Sequence, residues 1–250
     1  AGDAYARKVR GWLLGMERDT LDLMAHQGTG GTIKLAAVPT FATRWLMPRL
    51  PQLAKIHPDI TVHIDVQTRP FLFTDTGFDA ALYAGTPEQV HNWPGIEALH
   101  LMDEDVVPVC SPQLLARAVQ RDLGRAWQPL APQALADLPL LQQSTRPQGW
   151  VQWFQSVGVD APRAMDGPRY ELFSMLAVAA TQGMGVAVMP PMLVEAELAR
   201  GELVIASAQP LRGERGYYLI TPAQQMPSTV LTAFSTWLHR MAQPSHAAAG

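Results

Sequence analysis

Apolar positions along this chain switch between two spacings, and the switches mark out its elements. Residues 3–27 carry Val9, Met16 and Leu23 at seven-residue intervals, and Trp12, Leu13 and Leu21 widen the stripe. Arg7, Lys8, Arg10, Glu17, Arg18, Asp19 and Asp22 fill the other faces. This is the pattern of an amphipathic helix. "GTGG" at 28–31 ends it as a flexible joint. Such a helix either docks on its own domain or pairs with a helix of another chain. A glycine joint between stripe and body favours the second.

Strand and helix patterns then alternate. "TIKLAAV" (32–38), "ITVHIDV" (60–66) and "FDAALYAG" (78–85) predict strands. Between the first two, Leu46, Leu50, Leu53 and Ile56 have helical spacing, yet the segment holds Pro39, Pro48, Pro51 and Pro58. A proline inside a helix removes a backbone hydrogen bond at a cost of about 3 kcal/mol. The helix should therefore break or bend at Pro48 and Pro51. The strand–helix–strand rhythm implies a mostly parallel sheet. "TPEQVHNWPG" (86–95) reads as polar and irregular, and "EDVVPVCSP" (104–112) as a new short strand. The rhythm then restarts. "SPQLLARAVQ" begins as a helix with Ser111 as N-cap and Pro112 in its first position. "LPLLQQS" is a strand, and "GWVQWFQSVG" and "ELFSMLAVAATQG" are helices. "MGVAVMP" is a strand, "PMLVEAELARG" a helix, "GYYLITP" a strand, and "STVLTAFSTWLHRMA" an amphipathic helix. Two α/β lobes of about 100 residues each are the economical reading.

Composition narrows the functions. The 250 residues are 48% hydrophobic and 16% charged, enough for a full core, and the net charge of -3 supplies no basic excess for a polyphosphate backbone. A single cysteine, Cys110, excludes a disulfide framework and a multi-cysteine metal site, and its apolar strand suits a buried, inert thiol. No run approaches the roughly 18 apolar residues of a membrane span, and "AGDAYARKVRGW" is too polar for a signal peptide. The seven histidines show no metal-ligand spacing. "GMGVAV" lies between a helix and a strand, the reverse of a dinucleotide fingerprint. Gly183 is therefore expected as a helix C-cap and Gly185 as part of the turn into the strand. Asp103, Glu104 and Asp105 read as a solvated connection. No catalytic set, cofactor site or metal site emerges, so an enzyme is not expected.

Two strand ends carry binding chemistry. Pro39 and Thr40 follow the first strand, where Thr40 can cap the next helix and the exposed N–H groups of a helix start can receive an anion or carboxylate. The corresponding strand of the second lobe ends in Gln142, Gln143, Ser144 and Thr145, all hydrogen-bonding side chains. Facing one another, these tips would line a cleft between the lobes.

"GTIKLAAVPTFATRWLMPRLPQLAKIHPDITVHI", "GFDAALYAG", "WPGIEALHLMDEDVVPVCSPQLL" and "QGMGVAVMP", in this order, resemble the effector-binding region of LysR-type transcriptional regulators. The subgroup that controls glycine cleavage and β-lactamase induction is the most similar. The resemblance implies a two-lobed α/β fold of the periplasmic-binding-protein-like (type 2) kind, preceded by a dimerisation helix. It implies a linker helix and hinge at 1–31, a first lobe at 32–103 plus 209–250, and a second lobe at 104–208. It places the chain crossings near 101–106 and 205–212. The implied effector contacts are Thr40, Phe41, Thr68, Arg69, Tyr83, Gln142, Gln143, Ser144 and Phe173. Tyr83 stands where the subgroup often has an arginine, and Arg69 is the candidate to replace that cation. The implied ligand is a small polar molecule such as an amino acid or carboxylate. The implied assembly is a cytoplasmic homodimer or homotetramer with no membrane contact. It would meet DNA only through an N-terminal winged helix-turn-helix that this sequence lacks. The alternative is a transporter's solute-binding protein of the same fold, which needs no dimerising stalk.

Overall fold

The computed structural model describes residues 31–118, 128–223 and 228–243. The striped segment at 3–27 lies outside the described residues. Along the chain, β1 (Gly31–Ala37) runs into a broken helical segment. One turn at Pro39–Phe41 is followed by a wide π-turn at Ala42–Leu46, a tight turn at Met47–Arg49 and α1 (Leu50–Ile56). Pro48 and Pro51 each stand in the first turn of a short helix. A proline costs little there, because those N–H groups have no helical acceptor. Next come β2 (Ile60–Val66), β3 (Ala80–Gly85), α2 (Pro87–His91) and β4 (Ile96–Asp103).

The stretch 86–95 is thus partly helical. Thr86 accepts the Gln89 backbone N–H while the Gln89 side chain accepts the Thr86 N–H, a capping box that starts a single helical turn. From β5 (Val107–Cys110) the chain passes through α3 (Pro112–Ala118), α4 (Pro132–Leu135), β6 (Leu140–Gln143), α5 (Gly149–Ser156) and β7 (Arg169–Tyr170). It continues through α6 (Phe173–Thr181), β8 (Val186–Met189), α7 (Glu195–Ala199), β9 (Val204–Ile205), β10 (Gly216–Pro222) and α8 (Thr229–Ala242).

The described chain divides into two units. The first takes 31–38, 46–102 and the described residues from 216 onward. The second takes 39–45 and 103–215. Their sheets share one plan. In the first, the order is β2-β1-β3-β10-β4, with β1 parallel to β2 and β3 and β10 antiparallel to β3. In the second, the order is β7-β6-β8-β5-β9, with β6 parallel to β7 and β8 and β5 antiparallel to β8. Each sheet is therefore parallel in three strands and antiparallel at the fourth, which arrives from the far side of a chain crossing.

The first unit buries Ile33, Leu35 and Ala37 of β1 and the Leu231, Phe234, Trp237 and Leu238 stripe of α8, which packs on β1. An aromatic cluster of Phe71, Phe73, Phe78, Tyr83 and Trp93 packs with Ala81 and Tyr218. In the second unit, Trp150, Trp153 and Phe154 of α5 pack with Leu115, Leu140 and Val186.

Glycines fix two turns. Gly183 (φ 73°) follows α6, its N–H donating to Ala180 O while the Met184 N–H donates to Ala179 O, which closes a Schellman cap. At Gly185 a Cβ would stand 2.6 Å from Pro139 O. The "GMG" motif is therefore a helix-to-strand turn, as its sequence context implies.

Candidate functional site

The second unit gathers most of the predicted site residues. Pro39 to Trp45 belong to it although they follow β1 directly in the chain. Arg44 pins this segment by donating to the Leu193 carbonyl at 3.2 Å and to Glu197 Oε1 at 2.5 Å. Phe41 is buried and stacks on Trp45 with ring centroids 4.7 Å apart. Thr40 is also buried, and its hydroxyl does not cap its own helix. It accepts the backbone N–H of Ser174, in the first turn of α6, at 3.3 Å. The N-cap of α6 is Leu172, which has no side-chain acceptor, so a first-turn donor is satisfied from another element.

β6 aims its side chains to opposite faces, and its two glutamines differ accordingly. The Gln142 amide donates to the Ala164 and Asp166 carbonyls at 3.1 and 2.6 Å, bracing the loop before β7. The Gln143 amide donates to the Glu171 carbonyl at 2.8 Å, and its Oε1 accepts both the backbone N–H and the hydroxyl of Thr145 at 2.6 and 2.7 Å. Ser144 is fixed by its N–H donating to the Tyr170 carbonyl at 2.8 Å, and its side chain is exposed. Gln143, Ser144, Thr145, the start of α6 and Thr40 thus form one connected group. Phe173 is buried at the first position of α6, with the Arg146 guanidinium 5.7 Å from its ring centroid.

Arg146 and Glu104 are the residues that sequence reasoning missed. Glu104 is buried, not a solvated link. Arg146 Nε and Nη2 donate to its two oxygens at 2.7 and 2.9 Å, and Arg215 Nε lies 3.3 Å from Oε1. The Glu104 backbone N–H also donates to the Arg215 carbonyl at 2.9 Å. One buried carboxylate therefore ties the strand end of β6 to both crossing segments, which pair again at Val106 and Leu211. No local pattern signals this triad, because Arg146 stands 42 residues from Glu104.

The remaining predicted residues lie in the first unit. Thr68 and Arg69 are exposed in the loop after β2, held at its start by the Gln67 N–H donating to the Ala37 carbonyl at 3.0 Å. Tyr83 is built into the aromatic cluster, edge-on to Trp93 at 5.3 Å, while the Trp93 indole donates to the Phe71 carbonyl.

Elsewhere in the second unit, Cys110 is buried, and desolvation pushes its thiol pKa up to about 12, so it stays protonated and unreactive. Among the described residues, no group of three or more His, Cys, Asp and Glu could hold a metal ion, and no helix is long and apolar enough to cross a membrane.

Residues 26–243 match the family model of the LysR substrate binding domain. The chain belongs to that family. This LysR-type domain is 32% identical over 218 residues to the transcriptional activator AmpR of Rhodobacter capsulatus, covering 87% of the chain and 69% of the relative. It is 27% identical over 238 residues to the glycine cleavage system transcriptional activator of Escherichia coli K12, covering 95% of the chain and 73% of the relative. Its fold matches the effector domain of AmpR of Pseudomonas aeruginosa with a TM-score of 0.69 and 26% identity, over 84% of this chain and 95% of that one. The two-sheet architecture is that of LysR effector-binding domains, of the periplasmic-binding-protein-like type 2 kind. The LysR-type domain is thus the effector-binding region of a transcriptional regulator. The relatives do not favour a transport receptor.

Proposed function

We propose that this LysR-type domain senses a small polar molecule through the strand-end group of its second unit and releases it chemically unaltered. The observation that carries the reading is the division of labour around β6. The buried Gln143 spends its amide on holding Thr145 and the 171 loop, and Ser144 is exposed just past the end of β6. Thr40, Ser144 and Phe173 are the contacts this reading assigns. Phe41 and Gln143 act as their supports. In the first unit, the exposed Thr68 and Arg69 are the next to substitute, and Tyr83 is a packing residue.

In the assembled regulator, a winged helix-turn-helix outside this sequence would hold DNA, and copies would pair as a cytoplasmic homodimer or homotetramer. Differential scanning fluorimetry against amino acids, small organic acids and sugars tests the sensing role. One compound class should raise the melting temperature in a saturable way, and mass analysis should recover that compound intact. A chemically altered compound would move the protein into the enzyme class. Uniform failure of all classes would overturn the sensing reading.

A further inference from the structure

Arg146 is held as few surface arginines are. Two of its nitrogens, Nε and Nη2, grip the two oxygens of Glu104. Nη1 donates to the Thr145 hydroxyl at 2.7 Å and to the Thr145 carbonyl at 3.3 Å. The plane is backed by the Phe173 ring. Yet the side chain keeps 19% of its surface, whereas that of Glu104 keeps 2%. Of the five N–H groups of a guanidinium, these contacts occupy four, so one Nη2 hydrogen has no acceptor among the described residues. The guanidinium is pre-oriented and partly desolvated, its Thr145 partner is itself held by Gln143, and the exposed Ser144 stands two residues before it in the chain. Its neighbour Glu104 divides its charge between Arg146 and Arg215.

A cation fixed this way loses little entropy on meeting an anion, and a charge-assisted bond there is stronger than one in open water. From this placement we infer that Arg146 is the anion anchor of the effector, and that the effector carries a carboxylate. The carboxylate meets the remaining Arg146 Nη2 hydrogen and the Ser144 hydroxyl. The inference rests on the sensing reading above and names its ligand class. Because Glu104 holds the same guanidinium from behind, ligand and Glu104 share one charge. Binding is thereby felt at the crossing segment that carries Glu104.

Matched pairs separate charge from shape. Glycine against glycinamide, and succinate against succinamate and succinamide, are titrated by fluorimetry and calorimetry into the wild type, Arg146→Gln, Arg146→Lys and Glu104→Gln. An acid should bind while its neutral amide does not. Arg146→Gln should weaken that acid about 10- to 100-fold, the effect of losing a charged hydrogen bond. Arg146→Lys should keep part of the affinity, and it guards against a glutamine variant that fails to fold. Glu104→Gln, which removes the competing carboxylate, should tighten the acid. A purely structural Arg146–Glu104 pair would give no such gain. An amide that binds as well as its acid, or acid binding unchanged in Arg146→Gln, overturns the anchor and leaves the sensing reading standing. Silence of every pair overturns the anchor, and if the sugars of the wider panel bind, the sensing reading survives it.

Discussion

The Thr40 hydroxyl accepts the backbone N–H of Ser174 at 3.3 Å, across 134 residues of sequence. This bond ties the segment after β1 to the first turn of α6 inside one unit. Thr40→Val keeps the shape and removes the acceptor. Losing a helix-start acceptor costs about 0.5–2 kcal/mol, so the unfolding free energy from urea titration should fall by that amount, with a lower midpoint and an unchanged slope. Thr40→Ser should restore most of it. A Thr40→Val protein with unchanged stability would show that this bond carries no weight.

Gln142 and Gln143 stand side by side but have different jobs. Gln142→Met removes the donors to the Ala164 and Asp166 carbonyls while nearly keeping the volume. Two buried or half-buried acceptors lose their partner, at about 1–3 kcal/mol. The expected outcome is a lower unfolding midpoint with unchanged affinity for any effector that binds the wild type. Calorimetry on the folded variant distinguishes this bracing role from ligand contact.

Gly167 has φ of 107°, a backbone conformation that L side chains rarely adopt, and a Cβ there would collide with the Leu140 carbonyl oxygen. Gly167→Ala should therefore strain the turn that lays β7 against β6, at about 2–3 kcal/mol from strain and overpacking. Hydrogen exchange should rise first at Gln142 and Ser144, whose N–H groups donate to Pro168 and Tyr170.

Burial raises the Cys110 pKa from 9.0 to about 12. Between those values the unfolded chain releases a proton that the folded chain keeps. Stability from this group is full below pH 9 and falls as the pH rises towards 12. Cys110→Ala should flatten that alkaline slope, as read from denaturation midpoints at several pH values. A thiol reagent at neutral pH should label the wild type only at its rate of opening.

Much of the fold was legible because its signals are local. The apolar runs that became β2, β6 and β8, the proline breaks and the Gly183 cap each need only a few adjacent residues. β4 was harder to see: it is an edge strand, and most of its residues face solvent, so alternation is faint. The capping box at Thr86 encloses only one helical turn, too short for a period to show. Two features of the site lie beyond any local signal. The attachment of 39–45 to the second unit depends on Arg44 meeting Leu193 and Glu197, and the burial of Glu104 depends on arginines distant in sequence.

The position of β10 sets an order on synthesis. This strand lies between β3 and β4, yet it is made after every strand of the second unit. A nascent chain can complete the β7-β6-β8-β5-β9 sheet as soon as residue 205 has emerged. Until residues 216–222 follow, β3 presents an unpaired edge and β4 has no neighbour in its sheet. Open strand edges invite pairing with other chains. Messages cut short at residue 215, just before β10, should therefore yield a product whose second unit is folded and whose first is a substrate for chaperones and proteases.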